Sequence, residues 1–242
     1  VAGAESNDQT TINGGSFELM ENPGVSDHCA YCVSDIKGGS FTLGNNTDWS
    51  AQVFCESTIA AGYKAVVNGG WHYVVPEEAV VVTTANELTN ALANGGNVVL
   101  TNDIDFGSTQ LAIVGENQVV DLGGHTLTTA NNWGGISLKN GACIKNGTIT
   151  HAGNTAAIKA FNGTSVENVT INATCTTADK TVTGIAVQQG ANVESIKDVT
   201  INGVSQGIEV GYQATVGLIE NAVVNESNNG TAKGIGLVIN GG

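Results

Sequence analysis

The chain has 242 residues, with 22 acidic side chains against 8 basic ones and a formal net charge of −14. Every base is a lysine, so the clustered cations that nucleic acid or an anionic membrane surface requires are missing, and no apolar run is long enough to span a bilayer. With 33 Gly, 2 Pro and 41% hydrophobic residues, there is ample apolar material for a continuous core.

The first stretch, residues 1–78, carries its own repeat. Thr11-Ile12-Asn13-Gly14-Gly15-Ser16-Phe17 returns as Asp35-Ile36-Lys37-Gly38-Gly39-Ser40-Phe41, and Ile36 is followed by Ile59 at nearly the same interval. This predicts about three strand-rich coils of one step length. Cys32 and Cys55 hold equivalent places in successive coils and are read as stacked, buried, small apolar residues. A disulfide between them is the alternative: a coil spacing of ~4.8 Å suits its Cα separation, whereas parallel in-register neighbours orient Cβ poorly for it. A zinc set built from His28, Cys29, Cys32, Cys55 and His72 is disfavoured, because Cys29 and Cys32 face opposite sides of a strand. The odd total of 5 Cys leaves at least one thiol unpaired unless chains are cross-linked. Pro76-Glu77-Glu78 marks a boundary, with a second domain over 79–242.

That second stretch opens with Thr84-Ala85-Asn86-Glu87, a capping box. Leu88, Ala91 and Leu92 come next at helical spacing, and Asn94-Gly95-Gly96 is a stop. The pattern predicts a short α-helix near 84–94 that covers the open end of a second coiled stretch. Beyond it, Ile104, Leu127, Ile149, Ile171, Ile201 and Val224 recur at a nearly constant step. A second series, Leu111, Ile136, Ile158, Ile185, Ile208 and Ile235, runs between them. A fixed period of ~22–23 residues with strand-like alternation predicts a solenoid whose coils cannot bury their apolar faces singly and stack in parallel register. Asn146, Asn168, Asp198 and Asn221 each lie three residues before a core position, so they stack at one bend and bond through their side chains. Asp198 is an exception, because a carboxylate has no proton to donate. Two longer steps mark insertions at 174–181 and 225–232. Neither end of the chain shows a cap, which suggests a piece of a longer chain or a subunit covered by neighbours in end-to-end self-association.

The coil pattern, and above all Val119-Val120-Asp121-Leu122-Gly123-Gly124-His125-Thr126-Leu127, resembles the opening coil of right-handed parallel β-helix proteins of the pectate-lyase-like superfamily. It is especially similar to β-helical modules of large bacterial surface proteins, adhesins and phage tail proteins. The Gly-Gly-Ser-Phe coils of 1–78 resemble those that close β-helical regions in the same surface proteins. The resemblance implies an all-β, right-handed parallel β-helix and an extracellular, cell-surface or virion location.

Catalytic residues of that superfamily do not carry over. Its lyases use Ca²⁺-binding acids with an arginine base, and this chain has no arginine; its hydrolases use paired acids, and no Asp-Asp pair is present. Asp103 and Asp105 flank Ile104 and point outward from one strand; they read as a solvated edge, with a weak Ca²⁺ site as the alternative and no other cofactor expected. Trp49, Trp71 and Trp133 are the tryptophans available as sugar platforms, Trp133 in a loop beside the second strand series. His125 and His151 read as structural. Lys145 and Glu167, one coil apart, read as a cross-coil ion pair. The expected function is a non-enzymatic structural or adhesive β-solenoid, a rigid spacer or fibre protomer that meets a glycan or host surface; a carbohydrate-active or carbohydrate-binding β-helix is the alternative.

Overall fold

The computed structural model describes residues 11–18, 35–42, 59–108, 113–175, 181–226 and 234–240. Trp49, Cys29, Cys32, Cys55 and Leu111 lie outside these, as do most of the two insertions. The chain forms two compact units, Val1–Ala79 and Val80–Gly242.

In the first unit β1 (Ser16–Glu18) and β2 (Gly39–Thr42) pair in parallel, with Phe17 opposite Phe41. Parallel bridges join Ile12 to Ile36 and Ile36 to Ile59, as the repeat requires. The two phenyl rings stack at 5.0 Å with 10° between planes, and Ile36 and Phe41 are fully buried. The parallel pattern does not continue. β3 (Tyr63–Asn68) and β4 (Trp71–Pro76) form an antiparallel hairpin, and β4 also runs antiparallel to β2. Gly69 and Gly70 make its two-residue turn at φ 57° and 80°, the backbone a hairpin turn of this length selects and only glycine adopts cheaply.

The second unit begins with β5 (Val80–Val82) and α1 (Ala85–Ala93). Thr84 caps the helix, and the capping box is complete: Glu87 N–H donates to Thr84 Oγ1, and Glu87 Oε2 accepts from Thr84 N–H. Leu88, Ala91 and Leu92 are buried against Val82, Val98 and Leu100, so the helix closes one end of the core. Gln118, which no sequence signal marked, also serves this end: its buried Nε2 donates at 3.0 Å to the carbonyls of Leu92 and Gly96, tying the next coil to the turn that follows the helix.

Thereafter the chain coils. The first strand series comprises β6 (Val98–Leu100), β7 (Ile104–Asp105), β9 (Val119–Asp121), β10 (Thr126–Thr129), β12 (Cys143–His151), β14 (Ser165–Ala173), β16 (Asn192–Val204), β18 (Thr215–Glu220) and β19 (Val223–Glu226). Between them lie β8 (Ile113–Val114), β11 (Ile136–Leu138), β13 (Ala156–Ala160), β15 (Thr183–Val187), β17 (Gln206–Val210) and β20 (Ile235–Ile239). Strand pairs described in this unit are parallel, in a β-solenoid of about seven turns. Ile104, Leu127, Ile149, Ile171, Ile201 and Val224 stand opposite one another in register, and all but the last are buried. Each such buried aliphatic is worth roughly 1.5–3 kcal/mol of transfer free energy, so this column and its companion supply most of the unit's cohesion.

The companion column holds through Ile136, Ile158, Ile185 and Ile208, then departs from expectation. Ile208 stands opposite Leu237, not Ile235, which faces Gln206. A two-residue slip keeps every side chain on its original face, so hydrophobic alternation cannot tell the two registers apart. The second insertion also starts later than expected, since Asn225 belongs to β19 and pairs with Asn202.

Candidate functional site

The outer surface of the solenoid is built by the same stacking as its core. Asp121, Lys145, Glu167, Lys197 and Glu220 face one another on successive coils, a column of alternating charge. Lys145 lies opposite Glu167 in register, but the ion pair it makes is with Asp121, at 3.7 Å. At the neighbouring bend Asn146, Asn168, Asp198 and Asn221 take left-handed backbone at φ 59°, 51°, 51° and 50°. Each asparagine amide in this column donates to the coil before it: Asn146 to Asp121, Asn168 to Asn146 and Asn221 to Asp198, at 3.0, 3.2 and 2.8 Å. A second column, Asn172, Asn202 and Asn225, bonds the same way at 2.8 Å. No bend marks this column in the sequence.

Of the tryptophans, Trp133 is the one presented. Its side chain is 80% exposed, in the corner between β10 and β11. The corner is firmly built. Trp133 N–H donates to Asn131 Oδ1 at 2.7 Å, and the buried Asn131 donates through Nδ2 to the Ser108 carbonyl at 3.0 Å. Lys159 Nζ from the next coil donates to the Trp133 carbonyl at 2.5 Å, and Asn154 N–H donates to Asn132 Oδ1 at 3.2 Å. An exposed indole and an ammonium bound to its own main chain therefore belong to one corner. Lys139 Nζ lies 4.1 Å above the Phe161 ring. Trp71 is half-buried beside the hairpin turn of the first unit, opposite Asn68.

Asp103 and Asp105 flank the buried Ile104 and are exposed, as their spacing implies. Each is already engaged. Asp103 Oδ1 accepts from Thr126 N–H at 2.8 Å and lies 3.4 Å from His125 Nδ1, and Asp105 Oδ1 accepts from Gly107 N–H at 2.7 Å. His125 thus meets an acid one coil earlier in the chain, a partner visible only once coils stack. Among the described residues no three of His, Cys, Asp and Glu converge as a metal-binding group. Cys143 and Cys175 are unpaired thiols. Burial, reinforced by the Glu167 carboxylate, pushes the Cys143 thiol up to about 11, which keeps it protonated and weakly nucleophilic at neutral pH. No helix among the described residues is long and apolar enough to cross a membrane.

His151 is the residue whose surroundings sequence reasoning did not anticipate. It is fully buried, stands between Thr129 and Ala173 in register, and makes no hydrogen bond through either ring nitrogen. The Thr129 and Thr155 hydroxyls nearby in the chain are also buried and unpaired. Gly135 and Gly153 make room for the ring: a Cβ on Gly153 would stand 2.6 Å from His151 Cε1, and one on Gly135 would stand 3.1 Å from Nδ1. Burial lowers the imidazole to about 4, so it is neutral at physiological pH.

Compared with protein-family models, with curated proteins and with solved structures, the chain matches none. The class of protein is therefore defined by its fold: an all-β parallel solenoid with a single short helix.

Proposed function

We propose that the chain is a non-enzymatic structural module, a rigid β-solenoid spacer or fibre protomer of an extracellular, cell-surface or virion protein. The observation that carries this reading is the in-register stacking of coil on coil: an aliphatic column, two side-chain columns of mostly asparagine and a column of alternating charge run along one axis. Such stacking stiffens the axis and fixes the coil register, because a slip of one coil would set Glu against Glu. The resemblance of the coil motif to β-helical modules of bacterial surface and phage tail proteins agrees with this reading.

A carbohydrate-binding role is the second reading, favoured by the exposed Trp133 indole, whose main-chain carbonyl holds Lys159 Nζ. A screen of neutral and acidic polysaccharides, read for released unsaturated or reducing ends and for binding, separates the two. The structural reading expects no turnover, and reproducible turnover overturns it. Saturable binding lost at least tenfold in Trp133→Ala establishes the second.

A further inference from the structure

We propose that His151 is an acid-operated latch beneath the Trp133 corner: neutral, it lets the corner close over it, and protonated, it drives the corner open. The latch belongs to the corner itself, whatever the indole binds.

The geometry carries it. A buried imidazole with neither nitrogen bonded is tolerable only while uncharged, since a buried unpaired cation is among the most costly groups a protein can hold. Among the described residues no carboxylate acts on the ring, so a new cation would meet only hydroxyl and main-chain oxygens. β10 turns Thr129 towards it, β14 turns Ala173, and the segments that hold Gly135 and Gly153 supply main chain. The charged groups of nearby elements are engaged elsewhere. Asp103 binds Thr126 N–H and Asp105 binds Gly107 N–H, Lys159 Nζ is held by the Trp133 carbonyl, and Lys145 on the same strand reaches Asp121. Among the described residues no charge acts on the ring, whose ionisation is held down first by burial, with the Thr129 main chain opposing it.

The ring is also positioned to transmit the change. It touches the sites of Gly135 and Gly153, and a Cβ on Gly153 would clash with the Asn131 carbonyl as well. Asn131 is the residue that anchors Trp133 N–H. The bonds that shut the corner are Gly135 N–H to Ala156 O, Ala152 N–H to Thr129 O and Thr174 N–H to His151 O, at 2.9, 2.8 and 2.8 Å. Ring hydration on protonation separates these segments first.

Linkage sets the sign. The folded imidazole is lowered to about 4 against an ordinary ~6.5, so the closed state is undisturbed above pH 6.5 and loses stability as the pH falls towards 4. Opening of the corner should rise roughly 30-fold between pH 7.5 and 5.

The test is a pH titration of the whole chain by NMR, following the His151 Cε1–Hε1 signal with the protection factors of Gly135, Ala152 and Thr174. Ile201, in the core column of a later coil, serves as reference. The proposal expects His151 to remain neutral below pH 5 while corner protection falls roughly 30-fold and Ile201 changes less than threefold. A His151 signal that titrates near 6.5, or corner protection that tracks Ile201, overturns it. His151→Phe, which fills the space with a ring that cannot charge, should abolish the acid-dependent loss; loss that persists in the folded variant overturns the proposal. If that variant does not fold, the two wild-type measurements decide.

Discussion

At Asp198 the amide column loses its polarity. Asn146, Asn168 and Asn221 each donate to the coil before them, but Asp198 has no proton to give, so two acceptors face each other between it and Asn168. Asp198→Asn restores the missing donor at a left-handed position that Asn tolerates as well as Asp does. The expected gain is about 1 kcal/mol, read as a higher urea midpoint at unchanged slope. A lower midpoint would mean that the bond from Asn221 to a charged acceptor outweighs the repaired one. The bend positions were legible in sequence because their residue type recurs at a fixed offset. Their left-handed backbone was not, since Asn populates both αL and ordinary turns. The isolation of His151 was also hidden, because which groups face a ring one coil away depends on the path of the intervening bend.

At the scale of the element, α1 shows how local signals suffice when both partners lie within one turn. The Glu87 carboxyl is held below its ordinary range, first by the Thr83 N–H and then by the Thr83 hydroxyl. A lowered carboxylate contributes stability above its unfolded value and loses it in acid, so the cap weakens as the pH falls through the carboxylate range. Thr84→Ala removes the acceptor of Glu87 N–H and should cost about 1 kcal/mol. Thermal unfolding monitored by circular dichroism would register it; an unchanged transition would show that burial of Leu88 and Leu92 alone fixes the helix end. The hairpin of β3 and β4 was less legible. Its Gly69-Gly70 turn lay in view, but alternating residues there suit a parallel coil as well as an antiparallel arm, and pairing with β2 decided between them.

For the molecule as a whole, a solenoid makes contacts almost only between neighbouring coils, so stability is close to a sum of coil and interface contributions. Residues 165–194 form one repeat of 30, bounded by Ser165 and Ser195, which stand opposite each other. Excising them joins Thr164 to Ser195 and brings β12 against β16 and β13 against β17, with Ile149 on Ile201 and Ile158 on Ile208. The shortened chain should fold, with a cooperative urea transition, a proportionately smaller slope and a lower midpoint, because Lys145 then stands opposite Lys197. A chain that aggregates or unfolds would show that the coils act as one indivisible core.

Sequence by itself determined the coil period, the identity of the first aliphatic column and of the second from Ile136 to Ile208, the bend asparagines and the capping helix. Each rests on a repeat or on partners within a few residues, where chain connectivity dictates proximity. Tertiary structure alone decided the two-residue slip at Leu237, the hairpin in the first unit, the pairing of His125 with Asp103 and of Lys145 with Asp121, and the sealed environment of His151. Those depend on how one coil lies over the next, and alternation of polar and apolar residues cannot encode a shift that leaves every side chain on its own face.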